Sequence, residues 1–200
     1  PYTTILGFSE ILMNDDTLHE KEKIEYLSYI YDGAQLQLKL IEHLLDWSRL
    51  RTGKTVIENQ RLNLRNLIST AVSKQTGEAV RKNIDIHQNV PANIFVNSDE
   101  KQLRRAVSDI LNNAIKFSHQ DSLVTISADK FKGGLIEIVI KDSGVGISNE
   151  DQTKLFKLDK KFSKNGTNNE HGSGMGLIVV REILDKLKGD IWFYSTEGEG

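Results

Sequence analysis

The stretch from Asp109 to Phe117 reads Asp-Ile-Leu-Asn-Asn-Ala-Ile-Lys-Phe, and the apolar pattern around it predicts a helix from Asp99 to Phe117. Asp109, Asn113 and Lys116 are spaced i, i+4 and i+7, so they share one narrow stripe of this helix. A carboxylate, an amide oxygen and an ammonium are groups that hold a divalent ion and a polyphosphate. A solvated polar face would show the same spacing, so the stripe alone is a weak signal. The apolar residues occupy a different sector: Leu103, Val107, Ile110, Leu111 and Ala114.

A second candidate stretch, Asp142-Ser-Gly144-Val-Gly146-Ile, follows directly after an apolar strand. A carboxylate at the end of a strand can accept a hydrogen bond from an exocyclic amine, and glycines let the backbone approach a planar ring. The alternative is a glycine turn that begins with a turn-favouring aspartate.

The third stretch, Gly172-Ser-Gly174-Met175-Gly176-Leu177, opens a predicted helix. Glycines there free backbone N–H groups to converge on phosphate oxygens at the positive end of the helix dipole. It is neither a P-loop nor a dinucleotide fingerprint, because no Gly-Lys-Ser/Thr follows it and a polar loop precedes it. A flexible hinge is the alternative. The order and the even spacing of the three stretches make them a strong signal together.

The first third of the chain is predicted to be helical. From Ile24 onward, apolar residues recur every three or four positions, which predicts a helix over 22–52, and Tyr2–Met13 is its shorter partner. The long helix is apolar over so much of its circumference that it needs two neighbours, so we expect a dimer of hairpins that forms a four-helix bundle.

The remainder, 61–200, is predicted to be a second domain after a linker at 54–60. Its pattern predicts a two-layer α/β sandwich, so the chain as a whole is α+β. A polar segment spans 157–173, and Gly133-Gly134 marks a hairpin turn. The predicted elements are helices at 64–81 and 99–117, a helix that carries Leu177, Val180, Leu184 and Leu187 and ends near Gly189, and strands at 84–87, 94–96, 123–130, 134–141 and Ile191–Tyr194.

Composition excludes several classes of protein. The 200 residues include 26 Lys and Arg against 28 Asp and Glu, so no basic field exists to bind nucleic acid or an anionic membrane. The absence of cysteine excludes disulfides and thiolate metal sites. No apolar stretch is long enough to span a membrane. We therefore expect a cytoplasmic segment without membrane contact, which is compatible with a parent protein that is anchored in a membrane.

With these motifs in order, the sequence resembles the sensor histidine kinases of two-component signalling. The stretch 109–117 is similar to their asparagine box, and the stretches at 142–147 and 172–177 are similar to their two glycine boxes. Thr196–Gly200 looks like the start of the last glycine box. Pro1–Leu12 is similar to the segment that follows the phosphoacceptor histidine, and Leu44–Gly53 is similar to the end of the second dimerisation helix.

The resemblance implies a HisKA-type dimerisation and phosphotransfer hairpin over 1–53 and a Bergerat-type ATP-binding domain over 61–200, with ATP and Mg²⁺ as cofactors. It implies that Asn113 and Asp109 hold Mg²⁺, that Lys116 contacts phosphate and that Asp142 binds the adenine amino group. The implied catalytic residues are Asn113, Lys116 and Asp109. Other residues are implied to shape the pocket and the ATP lid: Phe117, Gly144, Gly146, Lys161, Gly172, Gly174, Met175, Gly176 and Leu177.

The implied activity is autophosphorylation on histidine within a homodimer, followed by transfer to an aspartate of a response-regulator receiver domain. Asp109 departs from the family pattern, because most of these kinases carry a second asparagine there. A Bergerat-type ATPase, with Asp109 as hydrolytic carboxylate, is therefore one alternative. A non-catalytic nucleotide-sensing dimer is the other.

Two further departures concern the lid and the acceptor. Phe156 matches the first aromatic residue of the lid motif, but 158–162 does not keep its usual second phenylalanine and base, so the lid lysine that contacts phosphate stays open. The acceptor histidine is expected before Pro1. His43 lies in the second helix of the hairpin, where the acceptor motif does not occur.

Overall fold

The computed structural model describes residues 2–157, 164–168, 170 and 172–200. The fold is α+β, as predicted. The helices are α1 (Tyr2–Asn14), α2 (Glu20–Arg51), α3 (Leu64–Arg81), α4 (Glu100–Phe117), α5 (Asn149–Gln152) and α6 (Gly176–Lys186), and the strands are β1 (Asn59–Asn63), β2 (Asp85–Asn89), β3 (Phe95–Asp99), β4 (Leu123–Lys130) and β5 (Ile136–Lys141).

Helices α1 and α2 form an antiparallel hairpin. The ring of Phe8 lies 5.0 Å from that of Tyr26 and 4.9 Å from that of Tyr29, which sets the register between the two helices. Many large apolar side chains of both helices stay exposed, and the dimer that would cover them remains a prediction. They include Leu6, Met13, Ile24, Leu27, Tyr31, Leu38 and Leu45.

The second part of the chain is built from a helical layer on a mixed sheet. Strand β4 is central: β2 pairs with it in parallel and β5 in antiparallel orientation, while β1 and β3 form a separate antiparallel pair. The alternation predicted for β4 is confirmed, because Val124, Ile126 and Ala128 are buried. They pack in one core with residues of α3 and α4, such as Leu64, Ile68, Val107 and Leu111.

Side-chain capping explains where α3 and α4 begin. The side chain of Asn63 accepts a hydrogen bond from the Asn66 amide at 3.1 Å, and that of Asp99 accepts one from the Gln102 amide at 2.9 Å. The predicted bounds of α3 are confirmed, and those of α4 agree within one residue. Among the described residues, no helix is long and apolar enough to cross a membrane.

A small second core joins α2 to the helical layer of the second part. Leu50 of α2 is 2 % exposed and packs with Ala106 of α4 and with Val179, Val180 and Ile183 of α6. The hairpin therefore docks on the face of α4 and α6 that points away from the sheet.

Two strand predictions differ from the structure. Strand β1 was not predicted, and it overlaps the last two positions of the predicted linker at 54–60. Its single buried residue is Leu62, which pairs with Val96 of β3. The predicted strand Ile191–Tyr194 is wrong, because 187–200 contains no strand. The Ile191 amide donates instead to the neighbouring Asp190 side chain at 2.8 Å. The turn predicted at Gly133-Gly134 is present between β4 and β5.

Candidate functional site

The polar stripe of α4 carries two side chains, those of Asp109 and Asn113, with oxygen atoms that accept no hydrogen bond from the described residues. Burial raises the pKa of Asp109 to about 6, although the nearby Arg105 and Lys39 favour the ionised form. The Oδ2 atom of Asp109 accepts no hydrogen bond within the described part of the chain. The side chain of Asn113 likewise makes no hydrogen bond to any residue that the structure describes. The amide and carboxylate oxygens of this stripe can coordinate a hard cation.

Lys116 lies one turn further along α4. Its Nζ donates to the Lys164 carbonyl at 3.2 Å and lies 4.8 Å from the ring centroid of Phe117. Burial lowers the pKa of Lys116, while the charge of Glu170 acts in the opposite direction. The ammonium therefore lies beside Lys164 and near the charge of Glu170, both within the predicted lid.

Asp142 follows β5 and keeps one carboxylate oxygen available. Its Oδ1 accepts a hydrogen bond from the Gly144 amide at 3.0 Å, and Oδ2 has no hydrogen-bond partner among the described residues. Burial raises the pKa of Asp142, and the bond from Gly144 partly offsets this effect. A half-buried acceptor of this kind suits an amine donor on a ligand.

The glycines of this stretch are required by close backbone packing. A Cβ on Gly144 would lie 2.7 Å from the carbonyl carbon of Phe117, whose oxygen accepts a hydrogen bond from Val145 at 3.1 Å. Gly146 has a φ of +62°, and its Cβ would lie 2.8 Å from the carbonyl carbon of Thr196. The turn after Asp142 is thereby fixed between the end of α4 and the segment 196–200.

The first turn of α6 has no side-chain cap. Met175, the residue before the helix, is buried. The backbone N–H groups of Gly176 and Leu177 therefore have no hydrogen-bond acceptor among the described residues, and they lie at the positive end of the helix dipole. Of the other predicted lid residues, Gly172 and Gly174 precede this turn and are half-buried, whereas Lys161 lies outside the described residues.

Helix α2 contacts the same region through polar groups. His43 Nδ1 and Ser173 Oγ share a hydrogen bond of 2.9 Å, and Asp46 Oδ2 lies 2.7 Å from Arg105 Nη1. Arg105 Nε in turn lies 3.9 Å from Asp109 Oδ2. The motifs carry no sign of this chain of contacts, because it joins residues far apart in sequence.

Residues 98–200 match the family described as histidine kinase-, DNA gyrase B- and HSP90-like ATPases. The chain belongs to this ATPase family. Over its whole length it is also 26 % identical to sensor protein GacS of Pseudomonas syringae pv. syringae and 28 % identical to the non-motile and phage-resistance protein of Caulobacter vibrioides. It spans 22 % and 24 % of those proteins.

Solved structures support the fold of both parts of this ATPase-family chain. Histidine kinase AdeS of Acinetobacter baumannii superposes with a TM-score of 0.75 and 18 % identity, covering 99 % of this chain and 90 % of that one. Histidine kinase ThkA, solved in complex with response regulator protein TrrA, gives a TM-score of 0.77 at 21 % identity, covering 100 % of this chain and 55 % of that one. The predicted resemblance to sensor histidine kinases and the predicted fold class are confirmed.

Acidification should loosen the contact at His43. Burial lowers the pKa of His43 to about 4, and Lys39 and Arg105 contribute in the same direction. The unfolded chain, with an ordinary pKa of 6.5, therefore binds the proton first as the pH falls. The stabilisation is full above pH 6.5 and is lost towards pH 4, with a loss of about 2 kcal/mol at pH 5.

Urea unfolding at pH 7 and pH 5 measures this effect. We expect His43→Gln to reduce the difference between the two pH values, whereas the same change at the exposed His87 should leave it intact. An equal pH dependence in the His43→Gln variant and the wild type would contradict the assignment.

Proposed function

We propose that this chain is the ATP-binding and phosphotransfer part of a sensor histidine kinase, which phosphorylates a histidine and passes the phosphoryl group to a response-regulator aspartate. The observation that carries this proposal is the docking of the hairpin beside the stripe of α4. Leu50 is buried against α4 and α6, and Asp46 pairs with the arginine next to Asp109. A nucleotide on that stripe would therefore lie next to the hairpin.

We assign the nucleotide contacts from the polar groups that the three sequence motifs place in the site. Asp142 would accept the adenine amino group at its Oδ2 atom, and the first amides of α6 would bind phosphate oxygens. Asn113 and Asp109 fit Mg²⁺, because both have oxygens without hydrogen-bond partners among the described residues. When bound, Mg²⁺ supplies charge neutralisation of the triphosphate. Lys116 adds a positive charge at the end of α4.

Phosphoryl transfer depends on positioning and on charge stabilisation. The tight packing of Gly144 and Gly146 fixes Asp142 relative to the end of α4. Asp142 would therefore hold the adenine base at one end of the nucleotide, while Lys116 would contact the phosphates at the other end. The cleft between α2 and the lid, of about 1090 Å³, is lined by Lys39, His43 and Glu170, among others. It gives an acceptor side chain room to approach the nucleotide.

The hairpin register supports an acceptor on the N-terminal side of α1. Phe8 lies beside Tyr26 and Tyr29, so residues of the two helices that share a level have numbers adding to about 36. The family resemblance places the acceptor histidine five positions before Pro1, and a helical residue there would by this register lie beside 38–41 of α2. That stretch contains Lys39, which lines the cleft.

We propose a homodimer, a cytoplasmic location and a response-regulator receiver domain as partner. The exposed apolar side chains of α1 and α2 support the dimer, because a four-helix bundle would cover them. The receiver domain is supported by ThkA, which was solved in complex with a response regulator. We propose a dimerisation hairpin over 1–53, a linker over 54–60 and an ATP-binding domain over 61–200. Strand β1 leads from the linker into the ATP-binding domain.

The ATPase alternative is favoured by one observation, the raised pKa of Asp109 near 6, which suits a general base. For the kinase we expect Asp109→Asn to bind an ATP analogue with affinity within about twofold of the wild type, because asparagine keeps an oxygen for Mg²⁺. Any release of phosphate from ATP by the wild type should also persist in this variant. A hydrolytic role would instead predict a loss of roughly 10²- to 10⁴-fold in phosphate release.

Labelled ATP distinguishes the three functions directly. The chain is mixed with a hairpin protein that carries a histidine before the Pro-Tyr-Thr-Thr motif, so that mixed dimers form. We expect acid-labile phosphate on that histidine and none on the five histidines of this chain. Free phosphate alone would favour the ATPase, and nucleotide binding without either product would favour the sensing dimer. Labelling of His43 would contradict the proposed acceptor.

A further inference from the structure

Lys82, at the end of α3, is a buried cation that the assigned mechanism does not use. Its side chain is 3 % exposed. The Nζ atom donates to the carbonyl of Ile115 at 2.9 Å and to that of Lys116 at 2.8 Å. It also contacts Thr167 Oγ1 at 2.6 Å and Glu170 Oε1 at 3.0 Å. One ammonium thus joins three separate parts of the chain.

The first pair of contacts orders the last turn of α4. The final carbonyls of a helix lack intrahelical donors and form the negative end of its dipole. A cation fixed against Ile115 and Lys116 satisfies these groups and restricts the backbone that carries the Lys116 side chain.

The second pair of contacts holds lid residues 164–168 and 170, which we call the lid anchor. Thr167 lies against the end of α4: its amide donates to Lys116 O at 3.2 Å and its Oγ1 to Ser118 O at 2.6 Å. Glu170 Oε2 accepts the Asn168 amide at 2.8 Å. The lid anchor and the phosphate end of α4 therefore share Lys82 as a common partner.

We propose that Lys82 is a positioning residue for the triphosphate end of the nucleotide site, acting through the Lys116 turn and the lid anchor rather than by touching the nucleotide. This inference rests on the proposed nucleotide-binding function. The contacts of Lys82 lie at the phosphate side, and none of them reaches Asp142. Removal of the ammonium should therefore weaken binding of ATP and spare binding of adenosine.

The test compares Mg-ATP with adenosine by calorimetric titration of wild type and Lys82→Met. We expect affinity for a non-hydrolysable ATP analogue to fall roughly tenfold and affinity for adenosine to stay within about twofold. The matched control is Lys74→Met, an exposed lysine on the same helix, which should change neither affinity. Equal losses for ATP and adenosine, or no loss for ATP, would overturn the proposal.

Variants of the lid anchor test the same role from the other side and serve if Lys82→Met fails to fold. We expect Glu170→Gln and Thr167→Val each to weaken ATP about threefold and to speed hydrogen exchange of the Thr167 amide. In the Lys82→Met background, Glu170→Gln should weaken ATP binding little further, because both substitutions remove the same contact between Lys82 and Glu170. Unchanged ATP affinity in both lid-anchor variants would overturn the role of Lys82.

The two proposals fail in different ways. A wild-type chain that binds neither ATP nor adenosine would overturn the proposed function. Wild-type binding of both ligands, with an ATP affinity that does not respond to these changes, would overturn only the inference about Lys82.

Discussion

Alanine at Gly146 should destabilise the protein by about 3 kcal/mol, because it combines backbone strain with a steric clash. The φ of +62° at this position is unfavourable for a residue with a side chain. The added Cβ would meet the carbonyl carbon of Thr196 at 2.8 Å and Cα of Glu197 at 3.0 Å. Either the turn after Asp142 or the segment 196–200 has to move, so nucleotide binding should weaken together with stability.

Chemical unfolding and titration with an ATP analogue measure the two consequences in one variant. The matched control is Gly77→Ala in α3, where nothing lies within 4 Å of the added methyl group. There alanine should stabilise the helix by roughly 0.5–1 kcal/mol. A Gly146→Ala protein as stable as the Gly77→Ala control would refute the packing described for this turn.

The elements that could be predicted from the sequence are those whose signal is local. Helix α4 is amphipathic over 18 residues and begins at an aspartate that caps it, so pattern and start signal agree. Asp142 could be proposed as a binding residue because its glycines follow an apolar strand. In both cases the residues that decide the structure lie within one short window.

The features that were missed depend on distant partners. Strand β1 has a single buried residue and is formed by its pairing with β3, some 35 residues away. In the sequence Lys82 is indistinguishable from an exposed lysine at a helix end. It is buried in the structure because the lid anchor and the end of α4 pack around its ammonium group. His43 gives no local sign of its contact with Ser173, 130 positions later.

Asparagine at Asp142 should weaken ATP binding by roughly 10- to 100-fold without destabilising the fold, because a charge-assisted hydrogen bond is lost. The side-chain oxygen of asparagine can take the position of Oδ1 and keep the hydrogen bond that the Gly144 amide donates. The NH₂ group then takes the place of Oδ2, so that a donor faces the adenine amine, which is itself a donor. The titration uses a non-hydrolysable ATP analogue, with Asp129→Asn on the exposed end of β4 as the control.

Stability should respond in the opposite direction from binding. Burial raises the pKa of Asp142 in the folded chain, so the folded protein holds the proton more tightly than the unfolded chain does. Between the two pKa values stability falls as the pH rises, and at neutral pH the ionised carboxylate opposes folding. Asparagine removes that charge, so the variant should unfold at the same or a higher urea concentration than the wild type.

Inosine triphosphate, which carries a carbonyl where adenine has its amine, separates this account from a general loss of the pocket. The NH₂ group of the Asp142→Asn variant can donate to that carbonyl, whereas the carboxylate of the wild type repels it. The variant should therefore lose its preference for ATP over inosine triphosphate, or reverse it. If affinity for both nucleotides fell by the same factor, Asp142 would contact something other than the base amine, and the assignment of the adenine end of the site would fail.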